Sequence, residues 1–164
     1  MADGSSCSWS LMESTLWHIA MPGAGAIHSI CHGGNQAYYA IGADYVQMPP
    51  FEAFKDAESY YATLAHEMTH WTRHQTRLDR DFGRKRWGDE GYAMEELVAE
   101  LGSAFLAADL ALTPEPREDH AAYIGSWLKV LKQDKRAIFS AAAHAQKAAD
   151  YLASLQPAED RAAA

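Results

Sequence analysis

The sequence predicts an α+β domain, with a small, mostly antiparallel sheet packed on a long helix and a helical C-terminal half. Three observations carry this. Between residues 26 and 48, short β-prone runs alternate with glycine-rich breaks. Beyond Pro49-Pro50 the apolar spacing changes to three and four residues, the period of a helix with one buried face. At 164 residues, 48% of them hydrophobic, the chain is long enough for one domain with its own core.

Strands are expected at 26–31, 37–41 and 45–48. Gly33-Gly34-Asn35 and Gly42-Ala43-Asp44 separate them, which reads as a meander or hairpin. Asp56 is placed to cap a helix over 57–75, with Glu58 in its first turn and Tyr61, Leu64, Met68 and Trp71 as its buried stripe. A charged loop with Gly83, Gly88 and Gly91 follows. A second helix is expected over 92–112, with Leu97, Leu101, Ala104 and Phe105 on the core face, stopped by Thr113-Pro114-Glu115-Pro116. Two more helices, over 118–133 and 134–155, are expected to turn Tyr123, Ile124, Trp127, Leu131, Ile138 and Phe139 inward. Residues 1–25 form a poorly defined N-terminal segment, 26–155 the domain, and 156–164 a flexible tail.

A net charge of −8 argues against an intrinsic nucleic-acid surface, which needs an excess of Lys and Arg. The one local basic cluster (Arg73, Arg77, Arg80, Arg84, Lys85, Arg86) is interrupted or flanked by Asp79, Asp81, Asp89 and Glu90, the pattern of a solvated mixed-charge loop. Cys7 and Cys31 are too few for a disulfide framework and suit a reducing compartment. No basic stretch precedes the first apolar residues, and no run approaches membrane-spanning length. The expected location is the cytoplasm, with no membrane partner.

The run His66-Glu67-Met68-Thr69-His70 is an HExxH motif on a helix. Two histidines four residues apart project from one helical face and reach one metal ion. Glu67, about 100° around the helix from His66, stands beside that metal as a general base for a bound water. A catalytic zinc site takes three protein ligands and leaves one position open. Continuation as HExxHxxGxxH is excluded, because Arg73 and Thr76 occupy the glycine and third-histidine positions. His74 lies about 12 Å along the helix from His66, too far to share the ion. The third ligand is therefore expected from the acidic run Glu95-Glu96-Leu97-Val98-Ala99-Glu100. Glu96 and Glu100 share a face, and Glu95 points about 100° away from Glu96. In thermolysin-like sites, which this arrangement resembles, the ligand comes first and the orienting acid four residues later. That order implies Glu96 as ligand and Glu100 behind a histidine, with Glu100 and Glu95 as alternative ligands. Tyr92, His120 and Tyr123 are candidate donors to a transition-state oxyanion. His28, Cys31 and His32 are weak grounds for a second metal site. The strand at 45–48 is a candidate for binding an extended peptide by strand addition.

Several of these runs, in order, resemble one family. Residues 56–72 (DAESYYATLAHEMTHWT) are similar to the active-site helix of the zincin-like metallopeptidase domain of ArdC-type antirestriction proteins and TraC-type plasmid primases. Residues 92–106 (YAMEELVAELGSAFL) resemble its second motif, 32–39 and 44–51 its upstream hairpin, and 123–139 its C-terminal part. The resemblance covers about residues 26–155. It implies a zincin-like fold, Zn2+ as cofactor, and a role on plasmids and phages in protecting incoming DNA. It reaches only the metallopeptidase half, without the single-stranded-DNA-binding domain such proteins carry. The expected function is zinc-dependent hydrolysis of a peptide or protein substrate. Two rivals remain: an antirestriction component that occupies DNA or a restriction enzyme, and a zinc that only staples helices together.

Overall fold

The computed structural model describes residues 30–83, 89–112, 127–128, 131–132 and 134–155. The chain enters a three-stranded sheet of β1 (Ile30–His32), β2 (Tyr38–Ala40) and β3 (Tyr45–Met48). Along β3, Val46 and Met48 are fully buried while Tyr45 and Gln47 are only half-buried, the alternation of a strand with one face on a core. The sheet order is β1-β3-β2, with β1 parallel and β2 antiparallel to β3. The sheet is therefore mixed, and β2 and β3 form the expected hairpin, but the three strands are not a meander. The glycine pair explains this. Gly33 N–H donates to the Met48 carbonyl at 2.9 Å, and the Gln47 side chain donates to the Gly33 carbonyl at 2.7 Å, which ties the end of β1 to β3. Gly34, at φ 65°, then turns the chain away to the far side of the sheet. With β3 central, its backbone is taken on both sides, so the expected strand addition at 45–48 has no edge to use. Among the described residues the outer edges belong to β1 and β2.

After a 3-10 turn at Phe51–Ala53 comes α1 (Ala57–Trp71). Asp56 caps it, its carboxylate accepting the Ser59 N–H at 2.7 Å. α1 stops at Trp71, four residues short of the expected end, because other groups take its last carbonyls. Thr72 Oγ1 donates to Thr69 O at 2.7 Å, Arg80 Nη2 to Thr69 O at 2.9 Å, and Arg77 Nε to Trp71 O at 2.6 Å. α2 (Glu90–Asp109) is capped by Asp89, which accepts the Tyr92 N–H at 2.8 Å. α3 (Ala137–Ser154) presents Ala141, Ala145, Ala148, Ala149 and Leu152, all essentially buried. That stripe of small residues lets α3 lie close to α2. Phe139, expected inward, is 74% exposed. It sits two residues before Ala141, about 200° around the helix from the buried stripe. Ala104 is likewise on the outer side of α2, where Gly102, Leu106 and Ala107 are buried instead. The segment at 1–25, the stop at 113–116, Tyr123, Ile124 and the tail at 156–164 lie outside the described residues. Of the helix expected over 118–133, residues 127–128 and 131–132 are helical.

The main core joins the sheet to all three helices through Val46, Met48, Tyr60, Leu64, Met68, Trp71, Leu106, Ala149 and Leu152. A second cluster of Leu97, Val98, Ala141 and Ala145 glues α2 to α3. The hairpin is fastened to the end of α1 by Arg77. Its guanidinium stacks on Trp71, 3.8 Å from the ring centroid, and donates to Asp44 and to the Tyr39 hydroxyl. Among the described residues no helix is long and apolar enough to cross a membrane.

Two outcomes follow. A Cβ at Gly102 would stand 2.6 Å from Thr69 Cγ2 and 2.7 Å from Thr69 Oγ1. Thr69 is fully buried and β-branched, with its hydroxyl bonded to the Ala65 carbonyl, so it has no easy way aside. Gly102→Ala should therefore cost about 1–3 kcal/mol in urea denaturation, and Thr69→Ala in the same chain should recover most of it. Separately, the Arg77 hydrogen bond holds the Asp44 carboxyl below the usual carboxylate range. Its contribution is then present above the unfolded-state value of about 4 and is lost as pH falls through the lower folded-state value. Wild type should exceed Asp44→Asn in stability at pH 6, by less than about 1 kcal/mol because the Asp44 side chain is 35% exposed, with the gap closing towards pH 3.

Candidate metal centre

The site forms where the middle of α1 crosses the first half of α2. His66 and His70, one turn apart on α1, set their rings nearly perpendicular with centroids 4.8 Å apart. Glu96, on the facing side of α2, points its carboxylate between them, Oε2 3.6 Å from His66 Nε2 and Oε1 3.7 Å from His70 Nε2. One ligand atom from each of the three lies within 4.8 Å of the others. Around a tetrahedral ion with bonds of about 2.0–2.1 Å, ligand atoms stand roughly 3.3 Å apart, so side-chain shifts of up to about 1.5 Å would close the shell. Two imidazoles and one carboxylate form a donor set suited to zinc.

Behind the ring faces stand two further acids. Glu95 Oε1 lies 3.0 Å from His70 Nδ1 in a hydrogen bond. Glu100 Oε1 is 3.3 Å from His66 Nδ1, without the alignment of a hydrogen bond. Each Nδ1 thus faces a carboxylate, and each Nε2 faces the centre. Glu67 is buried beside His66, and its charge helps to raise the His66 pKa. Burial by itself pushes both imidazoles down, but the surrounding carboxylates outweigh it. Glu95 and Glu96 hold His70 up to about 10, and Glu100 and Glu96 raise His66 above the usual histidine range. Burial pushes Glu95 upward, yet Arg80 and His70 bring it down to about 2, and Glu96 is likewise held low by His66 and His70. The cluster favours a positive charge between rings and carboxylates, a role a proton or a divalent cation can fill.

The other expected site residues fall less centrally. Tyr92 is half-buried in the first turn of α2, one turn before Glu96. His120 and Tyr123 lie outside the described residues, as does His28. His32 is engaged elsewhere, its Nε2 2.7 Å from the Tyr60 hydroxyl and its ring stacked on Tyr60. His74 pairs with the Thr76 hydroxyl at 2.8 Å in the turn after α1.

Sequence reasoning missed the part played by Glu95 and Arg80. Arg80 was expected in a solvated loop, but it is 4% exposed and gives Glu95 two hydrogen bonds, from Nε to Oε2 and from Nη2 to Oε1, each 2.8 Å. Two signals were available. Two ligating histidines have two second nitrogens, which call for two acceptors rather than one. Leu78, Arg80 and Phe82 also alternate with exposed Asp79 and Asp81, so every second residue of this run turns inward. Arg77 too is drawn into the fold, and Arg84, Lys85 and Arg86 lie outside the described residues.

A small mixed sheet, an HExxH helix and a second helix with an acid opposite both histidines define a zincin-like metallopeptidase fold. The chain belongs to the zincin-like metallopeptidase family, whose model matches residues 23–144. It is 54% identical over 123 residues to the uncharacterized protein y4eC of Sinorhizobium fredii, covering 75% of this chain and 40% of that one. It is 42% identical over 146 residues to the DNA primase TraC of Escherichia coli, covering 88% of this chain and 13% of that one. The Mn(II)-bound crystal structure of the antirestriction protein ArdC from plasmid R388 superposes with a TM-score of 0.74 at 40% identity, over 96% of this chain and 56% of that one. The metal-free ArdC structure gives 0.72 at 44% identity, over 94% and 53%. The chain thus spans less than two thirds of the length of each of these relatives.

Removing Arg80 strands a buried carboxylate. Arg80→Ala should cost about 3–5 kcal/mol, read from the denaturation midpoint, whereas Arg80→Ala with Glu95→Gln should recover most of that loss.

Proposed function

We propose that this chain is a zinc-dependent peptidase acting in the cytoplasm, with His66, His70 and Glu96 as its metal ligands. The observation that carries this is a buried acid, Glu67, adjacent in α1 to a set of three candidate ligands, which on a tetrahedral zinc would leave the fourth position for water. A zinc that merely stapled helices would need no general base there. One of the two ArdC structures that match this fold is Mn(II)-bound, which supports a divalent metal in a domain of this fold.

A zinc ion held by His66, His70 and Glu96 would supply a Lewis acid for the peptide carbonyl and would lower the pKa of a bound water towards about 7. The chain's own groups do the rest. Glu95 and Glu100 keep the two Nδ1 atoms facing carboxylates, which turns both Nε2 lone pairs to the centre. Glu67 accepts the proton of the attacking water on a carboxylate oxygen and returns it to the leaving amine. Tyr92, at the start of α2, is the described candidate to donate to the carbonyl oxygen as it gains charge.

A second reading has one specific observation in its favour: the relatives include a protein named for antirestriction and a DNA primase. On that reading the chain occupies DNA or a restriction enzyme and cleaves no peptide. Zinc titration of Glu67→Gln and Glu96→Ala, with a mixed-sequence peptide library as substrate, separates the two. Glu67→Gln should keep zinc and the fold and lose cleavage by at least a hundredfold, whereas Glu96→Ala should lose zinc. Equal cleavage by Glu67→Gln overturns the mechanism. A zinc-loaded wild type that cleaves nothing in the library overturns the peptidase reading in favour of the second.

A further inference from the structure

We infer that Arg80 and Glu95 form a positioning pair that sets the His70 ring for metal, an inference that rests on the metal centre proposed above. A ligating imidazole must present a lone pair to the ion, which requires its proton on the other nitrogen and a fixed acceptor for that proton. Glu95 is that acceptor for His70, at 3.0 Å from Nδ1. It is 2% exposed and sits one position before Glu96, so its carboxylate leaves α2 on a different side from the proposed ligand.

What holds the Glu95 carboxylate in one orientation is Arg80. The guanidinium fork meets both carboxylate oxygens at 2.8 Å, a bidentate geometry that fixes the acid in plane as well as in charge. The remaining donors reach back to α1, Nη1 to Thr72 Oγ1 at 3.0 Å and Nη2 to Thr69 O at 2.9 Å. Arg80 therefore grips the helix that carries His70 and the acid that orients its ring in one rigid unit. His66 has a looser counterpart, since Glu100 stands 3.3 Å from its Nδ1 without hydrogen-bond alignment. Disturbing Arg80 should then act on the His70 arm of the site. An ion pair that only fastened the loop to the helices would leave metal affinity untouched once its charges were removed together.

The test is zinc affinity by chelator competition, with the visible spectrum of the cobalt(II)-loaded protein as a second reading. Arg80→Met with Glu95→Gln removes both charges. It should fold, by circular dichroism, yet bind zinc 10–100-fold more weakly and change the cobalt(II) bands. Arg80→Lys keeps the charge without the fork and should recover only part of the affinity. A folded double variant with wild-type zinc affinity and an unchanged cobalt(II) spectrum overturns the inference. Should that variant not fold, Glu95→Gln alone decides it, with tenfold weakening expected and unchanged affinity overturning it. His66→Ala distinguishes the two levels of failure. If it leaves zinc binding intact, or the wild type binds none, the metal centre itself is wrong and the inference falls with it. If it abolishes binding while the double variant binds normally, only the inference falls.

Discussion

With no side chain at Gly102, α2 lies directly on the Thr69 flank of α1, and this approach determines which acids can face the two histidines. Glu96 is six residues before Gly102, and Thr69 is one residue before His70. The helix crossing that brings the glycine against the threonine also swings Glu96 between the His66 and His70 rings. A bulkier residue at the crossing would push α2 outward and open the space between the carboxylate and both Nε2 atoms. The Ser103 hydroxyl, next to Gly102, donates to the Ala62 carbonyl at 2.9 Å and so ties α2 to α1 again, seven residues before Thr69.

Around that contact the polar groups are arranged in layers. The inner layer is two imidazoles and a carboxylate; the outer is Glu95, Glu100 and Arg80. Burying so many charges is tolerable only because each faces an opposite partner, and the low pKa of Glu95 against the raised pKa of His70 expresses that balance. Arg80 extends it to the backbone by taking the Thr69 carbonyl, so the end of α1 and the second layer of the site are one structure. Arg77 does the same for the hairpin, through Trp71 and Asp44. Two arginines from a segment that looks like a charged loop thus terminate α1 and join it to the rest of the fold.

Local chemistry was legible in the sequence wherever the outcome depends on short spacing. The α+β class, the Asp56 cap, the β2–β3 hairpin and the projection of His66 and His70 from one face all follow from residues within a few positions of each other. The acidic run at 95–100 limited the expected third ligand to three residues, and the thermolysin-like order of ligand and orienting acid chose Glu96 among them. The strand order was not legible, because the pairing of β1 with β3 rests on hydrogen bonds from Gly33 and Gln47 rather than on the alternation within any strand. The outward Phe139 also escaped, since an alanine stripe leaves a weak periodicity in which a neighbouring aromatic dominates.

Helical geometry by itself therefore determined that two histidines would share one face with Glu67 beside them, and that the acids of residues 95–100 would divide between two directions. Which acid faces which ring was decided by tertiary structure, because it depends on the rotation and separation of two helices far apart in sequence. The same holds for Arg80. Its charge and its neighbouring aspartates suggest solvent, and only the meeting of α1 with α2 creates the buried carboxylate that draws it inside.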